Sequence, residues 1–265
     1  MKGSLRTVLN IFMVCLLVAG AFFYVKSVSE KKENVFEYEE ARKIALGGKN
    51  ESIQEIEEYK ENKPREYDPF VEQLIATDIK ALQEINPEVV GWIYIPDTEI
   101  DYPVLQHEDN EYYLNHSWEN TKNPNGAIFF DCESSIGLED FNTLVYGHRI
   151  NNKNMFSGLN RYNSLDYLKA HPSVYLVTEK GVYRYDVFSA YQTGMQTIAF
   201  GMKIESEKMR KEFISFAIDY SEADTGIVPE PDCRILTLAT CNFNGVARQV
   251  VQAVLNEEVS YSFDK

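Results

Sequence analysis

Short runs of β-branched and aromatic residues, separated by turn residues, recur along the chain from Gly91 to Leu255. Such runs are typical of strands that pack into a barrel or a sandwich. The pattern predicts eight strands: Gly91–Ile95, Ile100–Gln106, Gly126–Asp131, Asn142–Arg149, Ser173–Thr178, Val182–Gln192, Arg234–Cys241 and Val246–Leu255. With helices inserted between them, they favour a mostly β fold, an eight-stranded barrel that is closed or nearly closed.

Three other segments space their apolar residues as a helix does. The first begins at Asp68, which is suited to an N-cap, and continues as one helix until Asn86-Pro87 stops it. The second runs from about Phe156 to Ala170, and the third from Glu205 to Tyr220. The apolar face of the third helix is predicted to consist of Met209, Phe213, Phe216 and Ala217.

The N-terminus contains an uninterrupted apolar run, Val8–Val25, without a charged residue. A helix of that length covers roughly 27 Å, close to the hydrocarbon core of a bilayer. The run predicts one transmembrane helix. The alternative is a cleaved signal peptide, because Ala19-Gly20-Ala21 imitates a cleavage site, but the apolar run continues beyond it. The short tail before the span and the large acidic body after it favour an N-terminus inside the cell and a body outside the cell membrane.

The chain therefore divides into three predicted parts: a cytoplasmic tail and transmembrane anchor (1–25), a charged helical stalk (26–66) and a barrel domain (67–265). In the stalk, 20 of the 41 residues are charged, which suits solvated helices that act as a spacer. One stalk helix is expected at Asn34–Leu46 and another at Ser52–Glu61, with Gly47-Gly48 between them.

Composition excludes several classes of function. The chain has 26 Lys and Arg against 41 Asp and Glu, a net charge of −15, so it repels the phosphate backbone of a nucleic acid. A hydrophobic content of 44% excludes wholesale disorder. The four cysteines are too widely spaced for a disulfide framework or a zinc site, although a Cys132–Cys233 disulfide is conceivable. We expect no metal and no other cofactor.

Cys241 is the cysteine most suited to chemistry, because it ends a predicted strand and faces the turn Asn242–Gly245. A strand end beside a loop exposes a thiol enough for it to act as a nucleophile. A cysteine nucleophile needs a proton carrier, and His148 also closes a predicted strand, directly after a glycine. A structural role for Cys241 is the alternative that its position alone leaves open.

Arg248 interrupts the apolar strand that follows the turn. A guanidinium buried there without a partner costs several kcal/mol, so the side chain must face solvent, a carboxylate or a functional cleft. The turn predicts a hairpin that sets Arg248 alongside the end of the Cys241 strand. A fixed cation at that place is suited to stabilising an oxyanion or holding a substrate carbonyl.

These residues together resemble the sortases, the extracellular cysteine transpeptidases of Gram-positive bacteria. The run Thr237–Cys241 with Arg248 and the upstream His148 carries the resemblance. Three ordered blocks are similar to class B members in particular, and the resemblance covers about residues 68–258. The blocks are Asn86–Gln106 with Asp109-Asn110 and Tyr112–Leu114, Tyr146–Arg149 with Met155-Phe156, and the helix before the cysteine strand.

The resemblance implies the sortase-type barrel with an N-terminal helical extension, and it assigns the site. Cys241 is implied to be the nucleophile, His148 the general acid and base, and Arg248 the group that stabilises the oxyanion or the substrate. The implied partners are surface proteins with a C-terminal sorting signal, the amine of a lipid-linked cell-wall precursor, and the membrane. Thr240 and Tyr146 are better explained as ordinary strand residues.

Other functions fit the same residues. A sortase that polymerises pilins differs only in its acceptor amine, and a cysteine peptidase differs in using water. A peptide-binding barrel with an inert site is a third alternative, which the presence of all three residues argues against. The preferred sorting signal, Asn-Pro-x-Thr or x-Pro-x-Thr, depends on loop shape.

Overall fold

The structure of the protein is a computed structural model. It describes residues 12–13, 15–22, 24, 36–47, 68–150, 154–194, 196–241 and 247–260, with Cys241 described by its backbone. The chain divides into two compact units, residues 1–43 and 44–265, and the second unit contains the barrel.

Eight strands close into a barrel in the order β1-β2-β3-β4-β7-β8-β6-β5. Most neighbours are antiparallel, but β2 with β3 and β4 with β7 are parallel pairs. Closure leaves no open sheet edge, which a mostly β protein otherwise has to protect. The strands are β1 Val89–Tyr94, β2 Asp101–Leu105, β3 Ile128–Phe130, β4 Asn142–Gly147, β5 Ser173–Thr178, β6 Gly181–Gly194, β7 Ile235–Cys241 and β8 Ala247–Ser260.

The predicted eight-stranded barrel is confirmed, and most strand boundaries agree within two residues. Two strand ends need comment, and only the end of β8 differs by more than two residues. β4 ends at Gly147, so His148 lies just beyond the ladder instead of inside it. β8 continues to Ser260 because its second half pairs with the first residues of β6, from Gly181 to Tyr185. That half of β8 is rich in acidic residues, which conceals its strand character in the sequence.

The predicted helix from Asp68 to Asn86 is two helices, so that expectation was wrong. Asp68 does cap the first, α1 (Pro69–Ile75), by accepting a hydrogen bond of 3.0 Å from Phe70 N. Asp78 then starts a second helix, α2 (Ile79–Gln83), by accepting from Ala81 N at 2.9 Å. An aspartate bonds its own backbone more readily at a helix start than inside a helix, and it divides the segment here.

The expected helix at 156–170 is also divided. A 3₁₀ helix, Phe156–Asn163, is followed by α3, Leu165–Ala170. The third expected helix is confirmed as α4, Glu207–Tyr220. α4 covers the outside of the barrel with a buried cluster that includes Phe213, Ile214 and Ala217. Met209 was expected on this face, but 41% of it is exposed.

The N-terminal prediction is only partly within the described residues. Residues 36–45 are helical, in agreement with the first stalk helix, and the second stalk helix lies outside the described residues. Residues 12–13, 15–22 and 24 are helical as well. Over the described residues, no helix combines the length and the apolarity that crossing a membrane requires.

Candidate active site

The register of three strands brings the predicted site residues to one end of the barrel. Cys241, the last residue of β7, is the direct cross-strand partner of Arg248 on β8. On the other side of β7, the parallel pairing sets Gly147 of β4 opposite Thr240. His148 follows Gly147, so the chain places it beside the end of β7. His148, which is far from Cys241 and Arg248 in the sequence, thereby becomes their neighbour, and the predicted hairpin pairing of Cys241 with Arg248 is confirmed.

The imidazole of His148 is oriented by one backbone group. Its Nε2 lies 2.8 Å from the carbonyl oxygen of Leu114. A carbonyl oxygen only accepts, so Nε2 carries the hydrogen and donates it. Nδ1 is then the ring nitrogen that is available to exchange a proton. The backbone of His148 is also fixed, because its carbonyl accepts a hydrogen bond of 3.0 Å from Phe156 N.

The turn that presents Leu114 is held by a buried polar cluster. Leu114 belongs to a 3₁₀ helix, Tyr112–Leu114, in which Tyr113 is fully buried. The Tyr113 hydroxyl donates to Glu88 Oε2 at 2.5 Å and accepts from Asn86 Nδ2 at 3.0 Å. Asn86 also donates to the carbonyl of Trp118 at 2.7 Å. Burial and the neighbouring Glu88 carboxylate raise the pKa of Tyr113, so the phenol remains a proton donor.

Two glycines allow the close packing around His148. Gly126 has a φ of +60°, and a Cβ there would lie 2.8 Å from Cδ2 of His148 and would also press on the Tyr113 carbonyl. A Cβ on Gly147 would lie 2.5 Å from Cδ1 of Ile128 and 2.7 Å from the Phe156 ring. A side chain at either position would displace the imidazole or its strand, which explains the Gly-His dipeptide that the sequence analysis noted.

Arg248 lies among aromatic rings. Its guanidinium carbon is 5.3 Å from the centroid of the Tyr146 ring and 5.7 Å from that of Phe200. Both distances are within the range of a cation–π interaction. Among the residues that the structure describes, no carboxylate pairs with Arg248. Of the three surroundings that the sequence left open for Arg248, a carboxylate partner is thus excluded within the described residues, whereas solvent and a functional cleft both agree with this arrangement.

Tyr146 contributes more to the site than the sequence suggested. Its hydroxyl donates to Asp131 Oδ2 at 3.1 Å, and burial followed by the charge of Asp131 raises its pKa. Asp131 is buried and also accepts from Asn110 Nδ2 at 2.9 Å. The alternation of side chains along β4 offers the available clue, since Tyr146 and His148 are two residues apart. No sequence pattern indicates Leu114 or Phe200 as part of the site. Leu114 acts through its backbone carbonyl, and Phe200 is far from Arg248 in the sequence.

The other described cysteines are not arranged for catalysis. Cys132 and Cys233 are both free, so the disulfide considered for them is absent. Burial raises the pKa of the Cys233 thiol to about 11, and burial with nearby acids raises the pKa of Cys132. A raised pKa keeps a thiol protonated and weakly nucleophilic at neutral pH.

The remaining histidines support structure. His107 and His116 stack on opposite sides of Tyr112 at 4.3 and 4.0 Å between ring centroids. His171 caps the end of α3, and its Nδ1 lies 2.9 Å from the Pro96 carbonyl. Within the described ranges, no three His, Cys, Asp or Glu side chains converge as metal ligands would.

The comparisons with known proteins agree with this geometry. The Sortase domain family matches residues 93–256. Sortase B of Listeria monocytogenes is 32% identical over 168 residues, which are 63% of this chain and 68% of that protein. A Staphylococcus aureus sortase B–substrate complex superposes with a TM-score of 0.71 at 25% identity, covering 86% of this chain and 99% of that one. A sortase B complexed with Gly3 superposes with a TM-score of 0.70 at 25% identity, over the same shares of the two chains.

Proposed function

Since the chain belongs to the sortase family, as a class B cysteine transpeptidase that acts on sorting signals, we propose that it cleaves a C-terminal signal after threonine and transfers the acyl group to a cell-wall precursor amine. The observation that carries the proposal is the strand register. It sets Arg248 opposite Cys241 and places His148 beside the end of the Cys241 strand. The solved relatives with a substrate and with Gly3 support the two partners, a peptide signal and a primary amine.

In the first half-reaction, the Cys241 thiol first gives its proton to Nδ1 of His148, and the resulting thiolate attacks the carbonyl carbon of the signal threonine. A carbon–sulfur bond forms, and negative charge develops on the carbonyl oxygen. Arg248 stabilises that oxyanion with guanidinium N–H groups. The carbon–nitrogen bond then breaks as His148 donates a proton from Nδ1 to the departing amine, because its Nε2 hydrogen is engaged by Leu114. The products are a thioester on Cys241, a free amine fragment and a neutral imidazole.

In the second half-reaction, a primary amine attacks the thioester carbonyl. A carbon–nitrogen bond forms, the carbon–sulfur bond breaks, and Cys241 leaves as a thiolate. The excess proton of the amine returns to His148, which restores the starting state. The thioester retains the free energy of the cleaved peptide bond, so the exchange needs no nucleotide.

We further propose that residues 8–25 anchor the enzyme in the cell membrane, with the N-terminus inside and the catalytic unit outside. In support, the described helical residues there expose apolar side chains, among them Leu17 at 71%, Phe22 at 65% and Phe12 at 61%. A membrane is the environment in which such a surface is stable. Membrane fractions washed with alkaline carbonate should retain the full chain and release a variant without residues 8–25. Release of both chains would contradict the anchor.

The catalytic proposal is tested with the full chain in detergent and a panel of peptides carrying Asn-Pro-x-Thr and x-Pro-x-Thr signals, with and without triglycine. Intact-mass spectrometry should detect an acyl adduct that is converted into ligated peptide when the amine is added. Cys241→Ala is the control and should form none. Adducts that release only hydrolysed acid in the presence of amine would indicate a peptidase. A folded chain that forms no adduct with any peptide would overturn the proposal.

A further inference from the structure

The Arg248 guanidinium is held without a hydrogen-bonding partner among the described residues. Its recorded contacts are the ring faces of Tyr146 and Phe200. A cation over a ring face is attracted through its positive carbon and nitrogen frame, and this attraction consumes no N–H donor. The donors that an oxyanion or a peptide carbonyl would need are therefore uncommitted in this arrangement.

The Tyr146 ring is fixed from its far end. Its hydroxyl donates to Asp131, and Asp131 is itself fixed by Asn110. Tyr146 also packs on Phe129 of β3, with 5.5 Å between ring centroids. The buried carboxylate behind the phenol makes the ring more electron-rich, which favours a cation over its face. Tyr146 is thus a rigid platform on the strand that also carries His148.

The backbone that carries Phe200 is held by a separate buried chain of hydrogen bonds, and the Phe200 side chain packs against the core cluster under α4. Phe200 ends the 3₁₀ helix Ile198–Phe200, and the next carbonyl, of Gly201, accepts from Asn142 Nδ2 at 3.0 Å. Asn142 in turn accepts from Thr237 at 2.6 Å, and Thr237 accepts from Gln252 at 3.1 Å. Asn142, Thr237 and Gln252 are completely buried. A satisfied network of this kind holds one geometry, because breaking any member leaves a buried polar group unpaired.

We propose that Tyr146 and Phe200 form an aromatic clamp that positions Arg248 over the end of β7 while leaving its N–H donors to the substrate. The two rings are positioning residues, and Arg248 is the group that touches the reacting atoms. The clamp deepens the proposed function and rests on it for its catalytic consequence. Its geometric part concerns only the placement of the guanidinium.

The test is a double-mutant cycle on the full chain, measured as the rate of acyl-adduct formation with the best signal peptide. Phe200→Leu should lower that rate about 2- to 30-fold, the range that corresponds to one cation–π contact. In an Arg248→Ala background the same change should have almost no effect. Tyr146→Leu should behave in the same way, and Tyr146→Phe, which keeps the ring, should lose less than Tyr146→Leu.

A matched control removes an aromatic partner from a different cation. Tyr167 lies 4.2 Å from the guanidinium carbon of Arg161, away from the site. Tyr167→Leu should leave the acylation rate unchanged. Equal losses from Phe200→Leu with and without Arg248 would overturn the clamp, since Phe200 would then act on the substrate directly. No loss from Phe200→Leu in the native background would overturn it as well.

A second measurement separates the clamp from the catalytic proposal. Ring currents should shift the side-chain Nε–Hε signal of Arg248 in ¹⁵N spectra of the full chain, assigned by its loss in Arg248→Ala. Phe200→Leu and Tyr146→Leu should each move this signal toward the position of an exposed arginine, and Tyr167→Leu should not. An unmoved signal would overturn the clamp, even where acylation is observed. A native chain that forms no adduct would count against the proposed function, and the spectra then decide the clamp.

Discussion

The two sides of the site hold their functional groups by different physics. On the β4 side, His148 is fixed by a directed hydrogen bond to the Leu114 carbonyl, and that carbonyl is supported by buried polar groups. On the β8 side, Arg248 lies over two ring faces. A hydrogen bond selects one atom of the imidazole and sets its tautomer, whereas a ring face places a cation and leaves its donors available. The proposed proton carrier, His148, is thus held by a hydrogen bond at one ring nitrogen. The proposed oxyanion donor, Arg248, is held by contact with two ring faces.

The largest effects should come from removing the two groups themselves. We expect His148→Ala to lower the acylation rate by about 10³-fold or more, within the range for a general acid. Arg248→Ala should lower it by about 10²- to 10³-fold, as loss of an oxyanion donor does. Single-turnover mass spectrometry measures both.

Conservative replacements sharpen that contrast. Arg248→Lys should recover part of the loss, since an ammonium retains the ring contacts while losing the fork of donors. His148→Gln should recover none, since an amide does not exchange the proton. Recovery by His148→Gln instead of Arg248→Lys would reverse the assignment of the two sides.

The next largest effect should come from Gly126→Ala, which disturbs the packing of the His148 imidazole. A methyl group there meets His148 and requires a left-handed backbone at φ +60°. We expect a loss of about 2 kcal/mol or more in the free energy of unfolding and a roughly 10-fold lower acylation rate. Gly158→Ala is the matched control, because its Cβ has nothing within 4 Å. Equal melting temperatures for the two variants would contradict the packing explanation.

A smaller effect should follow from Tyr113→Phe, which removes one hydroxyl from the support of Leu114. Glu88 and Asn86 would each lose a partner, which should cost about 1–3 kcal/mol of unfolding free energy. The acylation rate should fall only a few-fold, since the Leu114 carbonyl itself is retained. Tyr112→Phe loses one exposed hydrogen bond, to Asn120, and is the control for urea denaturation. A native denaturation curve for Tyr113→Phe would show that the cluster does not hold the turn.

The smallest expected effect concerns the stability of the fold at alkaline pH, and it is absent at neutral pH. Burial raises the pKa of Tyr102 to about 12 from an ordinary value of 10.0. The neutral phenol is favoured in the folded state, so its contribution is complete below pH 10 and is lost as the pH rises from 10 to 12. That contribution is about 3 kcal/mol for a pKa difference of this size. Urea midpoints measured from pH 8 to 11.5 should fall more steeply for the native chain than for Tyr102→Phe. Parallel curves would contradict the pKa shift.

The sequence predicted the parts of this molecule that local patterns determine. Strand alternation indicated the barrel, and the positions of Cys241 and His148 at strand ends indicated the site. The contacts that support His148 and Arg248 were not predicted, because they join residues that are distant in the sequence and close only in the folded chain. The Leu114 carbonyl is a backbone group that any residue could supply, and nothing in the residues near Phe200 shows that Asn142 bonds the next carbonyl or that the ring contacts Arg248. Asp78 was overlooked for the opposite reason, since its capping is local and was outweighed by a strong apolar period.

The parallel pairing of β4 with β7 has a consequence for the order in which the site forms during synthesis and folding. Leu114 and His148 are synthesised long before Cys241 and Arg248. β7 must therefore pair with a strand that was synthesised almost a hundred residues earlier. Pairings of such sequence separation form late, because the chain must first close a long loop. The thiol thus acquires its neighbours only when the last two strands complete the barrel. A partly synthesised chain that lacks β7 and β8 therefore also lacks the assembled site.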